Sequence, residues 1–260
     1  MNVGQKVVFL DIDGTILDHD KQIPSATKEA VKQLQDSGVI VSIATGRAPF
    51  MFQDILEELN IHSYISFNGQ YAVYNGEVVF RNPIDSEQIE ELTAYSINHN
   101  HPLVYQSIED MKSSVSNHPH IEQGIGSLKR SHPLEDTEYY KKQEIFQVLL
   151  FNKEKEQKVY EEVFQQLKFV RWHPVSCDVM PKIGSKAHGI EKFIEALHLN
   201  LEDTYAFGDG LNDLEMITKV HTGIAMGNSV QEVKEAADLV TDDVDQNGLS
   251  KAMKKLSLIK

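Results

Sequence analysis

Two carboxylates stand two residues apart near the start of the 260-residue chain, in Asp11-Ile12-Asp13-Gly14-Thr15. On an extended segment, side chains at that spacing point the same way, so Asp11 and Asp13 can address one small volume. Like charges held that close raise a pKa or recruit a cation. A second carboxylate-rich segment, Gly208-Asp209-Gly210-Leu211-Asn212-Asp213, lies far along the chain. If Asp209 joins the first pair, three carboxylates make a hard-oxygen site suited to Mg²⁺. Gly14 lets the backbone approach closely, and the amides that follow can receive phosphate oxygens. A turn rich in Asp and Gly is common by itself. These two segments gain weight because they occur together, in order, each directly after an apolar run. An EF-hand loop is excluded, since Gly14 falls at the fourth loop position where the sixth is required, and Gln22 occupies the twelfth. Neither Gly-x-x-x-x-Gly-Lys-Ser/Thr nor Gly-x-Gly-x-x-Gly is present.

The elements that must position these groups alternate. Val7-Val8-Phe9-Leu10 reads as a buried strand that stops at Asp11. Pro24-Ser25 can start a helix with Ala30, Val31 and Leu34 at helical spacing, and Gly38 is placed to stop it. A second strand over 39–44 ends at Thr45-Gly46-Arg47, and after a helix over 50–59 a third, over 64–67, ends at Asn68-Gly69. Strands alternating with helices predict a parallel sheet covered on its faces. After Asn82 the texture changes: a helix over 86–98, a polar stretch over 109–142 that reads as a long loop, a strand over 145–151, a helix over 153–167 and β-like sequence over 169–180. The alternating grammar resumes with a helix over 187–197, a strand over 204–207 ending at Gly208-Asp209, and short strands at 223–226 and 239–240. The fold class expected is therefore α/β. A mainly parallel core is built from 1–82 and 181–260, with a second α/β domain inserted at 83–180. In such a sheet, ligands bind beyond the carboxyl ends of the strands, where Asp11, Asp13, Thr45, Asn68, Asp209, Asn212 and Asp213 all fall. Lys186, at the start of the first helix after the insertion, can bring a positive charge there.

The formal charge of −14 argues against DNA, RNA or an anionic membrane as partner, because those contacts need clustered Lys and Arg. It also makes a bound cation the natural way for such a chain to accept an anionic phosphate. No apolar run is long enough to span a bilayer, and no basic flank precedes an apolar stretch at the N-terminus. A cytoplasmic protein is the expectation, with oligomeric state open. The single cysteine, Cys177, has no partner for a disulfide or a zinc site and reads as packing. The pairs His99/His101 and His118/His120 lack a helix-spaced or cysteine companion and read as loop residues.

Taken together, Asp11-Ile12-Asp13-Gly14-Thr15, Ala44-Thr45-Gly46-Arg47, Phe67-Asn68-Gly69, Lys186 and Gly208-Asp209-Gly210-Leu211-Asn212-Asp213 resemble the haloacid dehalogenase (HAD) superfamily, specifically its Cof-type (class IIB) phosphatases. Gly223-Ile224-Ala225-Met226-Gly227-Asn228 and Ala236-Ala237-Asp238-Leu239-Val240-Thr241 are similar to the same subfamily. The resemblance implies a Rossmann-like core with an inserted α/β (C2B-type) cap. It implies a Mg²⁺-dependent phosphatase for small phosphorylated metabolites, working through an aspartyl-phosphate. By that likeness Asp11 is the nucleophile, and Asp13 is the acid that later activates water. Mg²⁺ is held by Asp11, Asp209 and the backbone carbonyl of Asp13. Thr45, Gly46, Lys186, Asn212 and Asn68 bind phosphate, supported by Asp213, Gly14 and Arg47. Arg47 also reads as a helix-start surface residue, and Asn68-Gly69 as a plain turn. A carboxylate nucleophile with a carboxyl acid and base nearby is sound chemistry for ester hydrolysis. Two other functions fit the same motifs: a phosphomutase or phosphotransferase, and a metabolite-binding module without turnover.

Overall fold

The computed structural model describes residues 4–260. Strand β1 (Val7–Leu10) leads through a polar turn to α1 (Ser25–Asp36) and β2 (Ile40–Ala44). Helix α1 buries Thr27, Ala30, Val31 and Leu34 as one stripe, and Gly38, at φ 78°, follows its last turn, where a left-handed residue satisfies the free carbonyls. Helix α2 (Gln53–Leu59) and β3 (Tyr64–Ser66) come next, then a tight turn over 67–69 and a hairpin of β4 (Tyr71–Tyr74) and β5 (Glu77–Arg81). The chain continues through α3 (Ser86–Asn98), β6 (Leu103–Gln106), β7 (Met111–Ser113), α4 (Pro119–Ser127), β8 (Gln147–Leu150), α5 (Glu154–Val163), β9 (Leu167–His173) and β10 (Ser176–Pro181). It ends with α6 (Lys186–Leu197), β11 (Thr204–Gly208), α7 (Leu214–Lys219), β12 (Thr222–Ala225), α8 (Gln231–Ala236), β13 (Leu239–Val240) and α9 (Gly248–Lys255).

The described residues fall into two compact units, one of 4–47, 52–81 and 185–260, the other of 48–51 and 82–184. The first holds an eight-stranded sheet in the order β13-β12-β11-β1-β2-β3-β4-β5. Pairing is parallel from β13 to β3, and antiparallel only where β4 and β5 extend the edge. Successive residues of β1 point to opposite faces: Val8 and Leu10 pack with Val31, Leu34 and Met253, whereas Val7 and Phe9 pack with Ile190 and Phe193. Both faces are covered, so β1 has no polar position until it ends, and Asp11 is the first carboxylate the strand can expose to chemistry.

The second unit has a five-stranded antiparallel sheet in the order β7-β6-β8-β10-β9. Tyr105, Leu150, Cys177 and Val179 share one cluster with Leu92 of α3 and Tyr160 of α5. On β6 and β8, Val104 and Leu149 belong instead to the cluster containing Ile121 and Ile125 of α4.

Two expectations change. Residues 109–142 are not one long loop: β7 and α4 lie within it, the helix started by the His118 side chain accepting from His120 N–H and by Pro119 at the first helical position. Its apolar face is so short that the polar composition hid it. The hairpin β4–β5 was also unread, although Asn75-Gly76, at φ 47° and 84°, is the two-residue turn such hairpins prefer.

Candidate active site

Asp11 continues β1 by one residue, its N–H donating to Phe207 C=O of β11 at 3.0 Å. That bond fixes the nucleophile candidate between the two central strands. Its Oδ1 lies 2.5 Å from Lys186 Nζ, and the same ammonium reaches Asp213 Oδ1 at 2.6 Å. Lys186 is fully buried at the first turn of α6, where the Ser185 side chain caps by accepting from His188 N–H. Asp213 is also spent on structure. Its Oδ2 accepts from the backbone N–H groups of Asp209 and Gly210, both at 2.9 Å, which curls the loop after β11 back on itself. Gly208 is required there, since a Cβ would come within 2.5 Å of the Asp213 side chain.

Ligand oxygens of Asp11, Asp209 and Asp213 lie within 4.8 Å of one another. Three carboxylates share one ammonium, and the deficit of positive charge is visible in their chemistry. Burial, and next Asp213, push the Asp11 pKa above the ordinary carboxyl range against the pull of Lys186. Burial, and again Asp213, push Asp209 up to about 6. Burial works against the charge on Lys186, but Asp11 and Asp213 more than offset it and hold the amine protonated.

A hard divalent cation fits this donor set. Asp213 has both oxygens engaged, so the oxygens left for an ion are those of Asp11 and Asp209. The backbone carbonyl of Asp13, two residues along from Asp11, accepts no hydrogen bond from any described residue. Gly14, at φ 79°, keeps the space clear: a Cβ there would collide with the Asp209 carboxylate.

Asp13 is in a different environment. Arg47 grips it with two bonds, Nε to Oδ2 at 3.0 Å and Nη2 to Oδ1 at 2.7 Å, and Lys21 Nζ adds a third at 2.8 Å. Burial works to raise the Asp13 pKa, but Arg47 and then Lys21 outweigh it and hold the carboxyl below its usual value. The two members of the Asp-x-Asp pair are thus driven in opposite directions, the arrangement expected of carboxylates with different tasks.

The ends of β2 and β3 meet close by. Thr45 is buried, its Oγ1 accepting from Arg47 N–H at 3.2 Å and its C=O accepting from Asn68 N–H at 3.1 Å. Gly46 leaves the room that the Asn68 side chain occupies, since a Cβ would sit 2.9 Å from Asn68 Oδ1. Phe67 and Asn68 both take φ 51°, a strained pair for residues with side chains, and Gly69 follows at φ 97°. A Cβ on Gly69 would collide with the Ser185 carbonyl, so this turn is what lets the start of α6, and with it Lys186, come in so close. Asn212 stands apart from these groups. It is exposed on the loop after β11 and its side chain makes no hydrogen bond to a described residue.

Two contributors lay outside the expected set. Lys21 sits in a polar turn closed by the Asp18 side chain, which accepts from Asp20 and Gln22 N–H. Only that Asx-type turn chemistry could have flagged it. Asn228, at the end of the segment Gly223-Ile224-Ala225-Met226-Gly227-Asn228, donates to Gly14 C=O at 2.8 Å and to Asp209 Oδ2 at 3.2 Å. In the inserted unit, Tyr105 is buried with its hydroxyl 3.0 Å from Thr93 Oγ1, inside the packed cluster. Cys177 is buried, its thiol pushed up to about 12 chiefly by that burial, which suits packing and not nucleophilic work. His118 caps α4, and His101 Nδ1 lies 2.8 Å from Tyr160 Oη. Among the described residues no helix is long and apolar enough to cross a membrane.

Known proteins resemble this sequence and share this fold. A family model described as haloacid dehalogenase-like hydrolase matches residues 8–253. The chain is 51% identical over 258 residues to "Putative phosphatase YkrA" of Bacillus subtilis strain 168, covering 99% of this chain and all of that protein. Among solved structures, the HAD phosphatase BT1666 of Bacteroides thetaiotaomicron superposes with a TM-score of 0.91 at 28% identity, over 98% of this chain and 96% of that one. The HAD subclass IIB sugar phosphatase BT4131 does so with a TM-score of 0.86 at 30% identity, over 98% and 100%. A mainly parallel α/β core that gathers its carboxylates at the strand ends, matched to the family along nearly its whole length, makes this chain a member of the haloacid dehalogenase-like hydrolases, a Cof-type phosphatase.

Proposed function

We propose that the chain is a Mg²⁺-dependent phosphomonoesterase for small phosphorylated metabolites and that it works through an aspartyl-phosphate on Asp11. The observation that carries this reading is the contrast within the Asp-x-Asp pair. Asp11 is buried against Lys186 and beside Asp209, whereas Asp13 stands outside that cluster on its own cations.

In the proposed sequence an Asp11 oxygen attacks phosphorus while the ester oxygen departs with a proton from Asp13, leaving phosphate esterified to Asp11. Asp13 then takes a proton from water, whose oxygen attacks phosphorus. The P–O bond to Asp11 breaks, and inorganic phosphate and free Asp11 result. Asp13 must be protonated for the first step, and the phosphoryl group itself promotes this: a dianion competes with Asp13 for Arg47 and Lys21, and a carboxyl relieved of two cations holds a proton more readily. Lys186 offsets charge on the phosphoryl oxygens beside Asp11, with Thr45, Gly46 and Asn68 proposed to line the phosphate position and Asp213 and Gly14 keeping the loops in place, while Asn212, exposed on the loop after β11, would have to turn inward to reach the phosphate. Mg²⁺, held by Asp11, Asp209 and the Asp13 carbonyl, supplies neutralisation of the phosphoryl charge when bound.

The proposed division of labour is catalysis by 1–82 and 181–260 and leaving-group selection by 83–180, in a cytoplasmic setting. Likeness to the sugar phosphatase BT4131 supports placing sugar phosphates first in a substrate panel. The test uses Asp11→Asn with an aryl phosphate: turnover is expected to vanish, and full Mg²⁺-dependent turnover by this variant would refute the mechanism. Release of inorganic phosphate, not transfer to a sugar hydroxyl, separates the hydrolase from a mutase.

A further inference from the structure

We infer that Asn228 is a positioning residue for the cation site, acting through Asp209 and the loop at Gly14. The inference rests on the reading that Asp11 and Asp209 hold Mg²⁺.

One amide ties together three segments far apart in the chain. Its Nδ2 donates to Gly14 C=O at 2.8 Å and to Asp209 Oδ2 at 3.2 Å, while its Oδ1 accepts from Val244 N–H at 3.0 Å. The orientation is set by chemistry. A backbone N–H can meet only the oxygen of the amide, so the nitrogen has to face the carbonyl and the carboxylate. No other side chain of this size does both jobs: aspartate cannot donate, and leucine can do neither.

The consequence falls on Asp209. Asn228 occupies Oδ2, and no described residue bonds to Oδ1, so the carboxylate is held in one rotation with a free oxygen beside Asp11. The bond to Gly14 C=O fixes the loop that also carries the Asp13 carbonyl, so both halves of the oxygen set are set by the same group. Crowding at Gly14 supports this, since a Cβ there would stand 2.9 Å from Asn228 Nδ2 and overlap Asp209 as well. Val244 anchors the amide from behind. Its own segment is fastened by Gly227 N–H to Asp242 C=O at 2.9 Å and by His19 N–H to Asp245 Oδ1 at 3.3 Å. Partners that orient metal ligands in this way typically contribute about 10–100-fold to metal affinity.

The experiment titrates Mg²⁺ against the wild-type chain, Asn228→Ala and Asn228→Ser, reading the Mg²⁺-induced rise in Tm without substrate and the Mg²⁺ half-saturation of aryl phosphate hydrolysis. Serine is included because it leaves space for a water to satisfy Val244 N–H should alanine fold poorly. Both variants are expected to need about 10–100-fold more Mg²⁺ by both readouts, with KM for the ester at saturating Mg²⁺ changed by less than about threefold. Variants that bind Mg²⁺ like the wild type, or that both lose cooperative unfolding without metal, overturn the inference. A wild-type chain with no response to Mg²⁺ instead refutes the reading of Asp11 and Asp209 on which it rests.

Discussion

Lys186 neutralises two buried carboxylates at once, and its removal shows how much the site depends on a single ammonium. Lys186→Met leaves Asp213, and Asp11 wherever it is ionised, buried without a cation, a defect that costs about 3–5 kcal/mol because a desolvated charge loses its compensation. Urea unfolding without metal is expected to show that loss, together with a fall in kcat of at least about a hundredfold from the missing phosphate contact. A variant of unchanged stability would mean that the Lys186 ammonium does not compensate a buried charge there. Lys21 belongs to the opposite regime. It is exposed and Arg47 already grips both oxygens of Asp13, so Lys21→Met is expected to leave Tm within experimental error. Its effect is on acidity: one cation fewer beside Asp13 raises that carboxyl pKa, so the alkaline limb of the kcat/KM profile is expected to move upward. A profile that overlays the wild type would show that Lys21 does not reach Asp13 in solution.

At the scale of elements, the turn after β3 decides where α6 starts. Gly69→Ala imposes a Cβ on a residue at φ 97° and drives it into the Ser185 carbonyl, and neither backbone can give way cheaply. A loss of about 2–4 kcal/mol is expected from strain and clash, with activity falling as Lys186 is displaced. Full activity in a destabilised Gly69→Ala chain would separate the turn from the site. The same elements show what could be read beforehand. Mostly apolar runs such as Val7–Leu10 and Thr204–Gly208 end abruptly at carboxylates, so the strand-end positions of Asp11 and Asp209 were legible from pattern alone. Helix α3 was legible to both ends. Helix α4 was not, because Ile121 and Ile125 are too few to give a period, and the Asn75-Gly76 hairpin was not, because its two strands follow one another without the intervening helix that marks the parallel core. Lys21 and Asn228 escaped for a deeper reason. Each acts by a contact between segments with no periodicity or spacing to join them, and only folding brings them together.

For the whole molecule, the charge of −14 matters most where several carboxylates are buried together. Without metal, Asp209 keeps its proton up to about 6, and Asp11 keeps its own above the ordinary carboxyl range, whereas the unfolded chain releases both near pH 4. Between those limits the native state binds more protons than the unfolded state, so stability falls as pH rises through about 4 to 6 and continues to fall above that on account of Asp11. Asp13 works in the opposite sense: with its pKa lowered, its contribution is present above pH 4 and is lost only in more acid solution. The metal-free protein is therefore expected to be most stable near pH 4–5 as far as these groups decide it. If Mg²⁺ occupies the proposed site it is expected to reverse the slope, because it would bind the ionised carboxylates and have to displace the protons first. Thermal unfolding at pH 5, 6.5 and 8, with and without Mg²⁺, is expected to show a metal-induced gain in Tm that grows with pH. Asp209→Asn should lose that gain while raising the metal-free Tm at pH 8, since it removes the carboxylate whose ionisation is costly. A gain that is the same at all three pH values would show that the carboxylates are already ionised in the native protein at pH 5, and a metal-free Asp209→Asn chain less stable than the wild type at pH 8 would show that burying the Asp209 charge is not costly and that no cation is needed to make it tolerable.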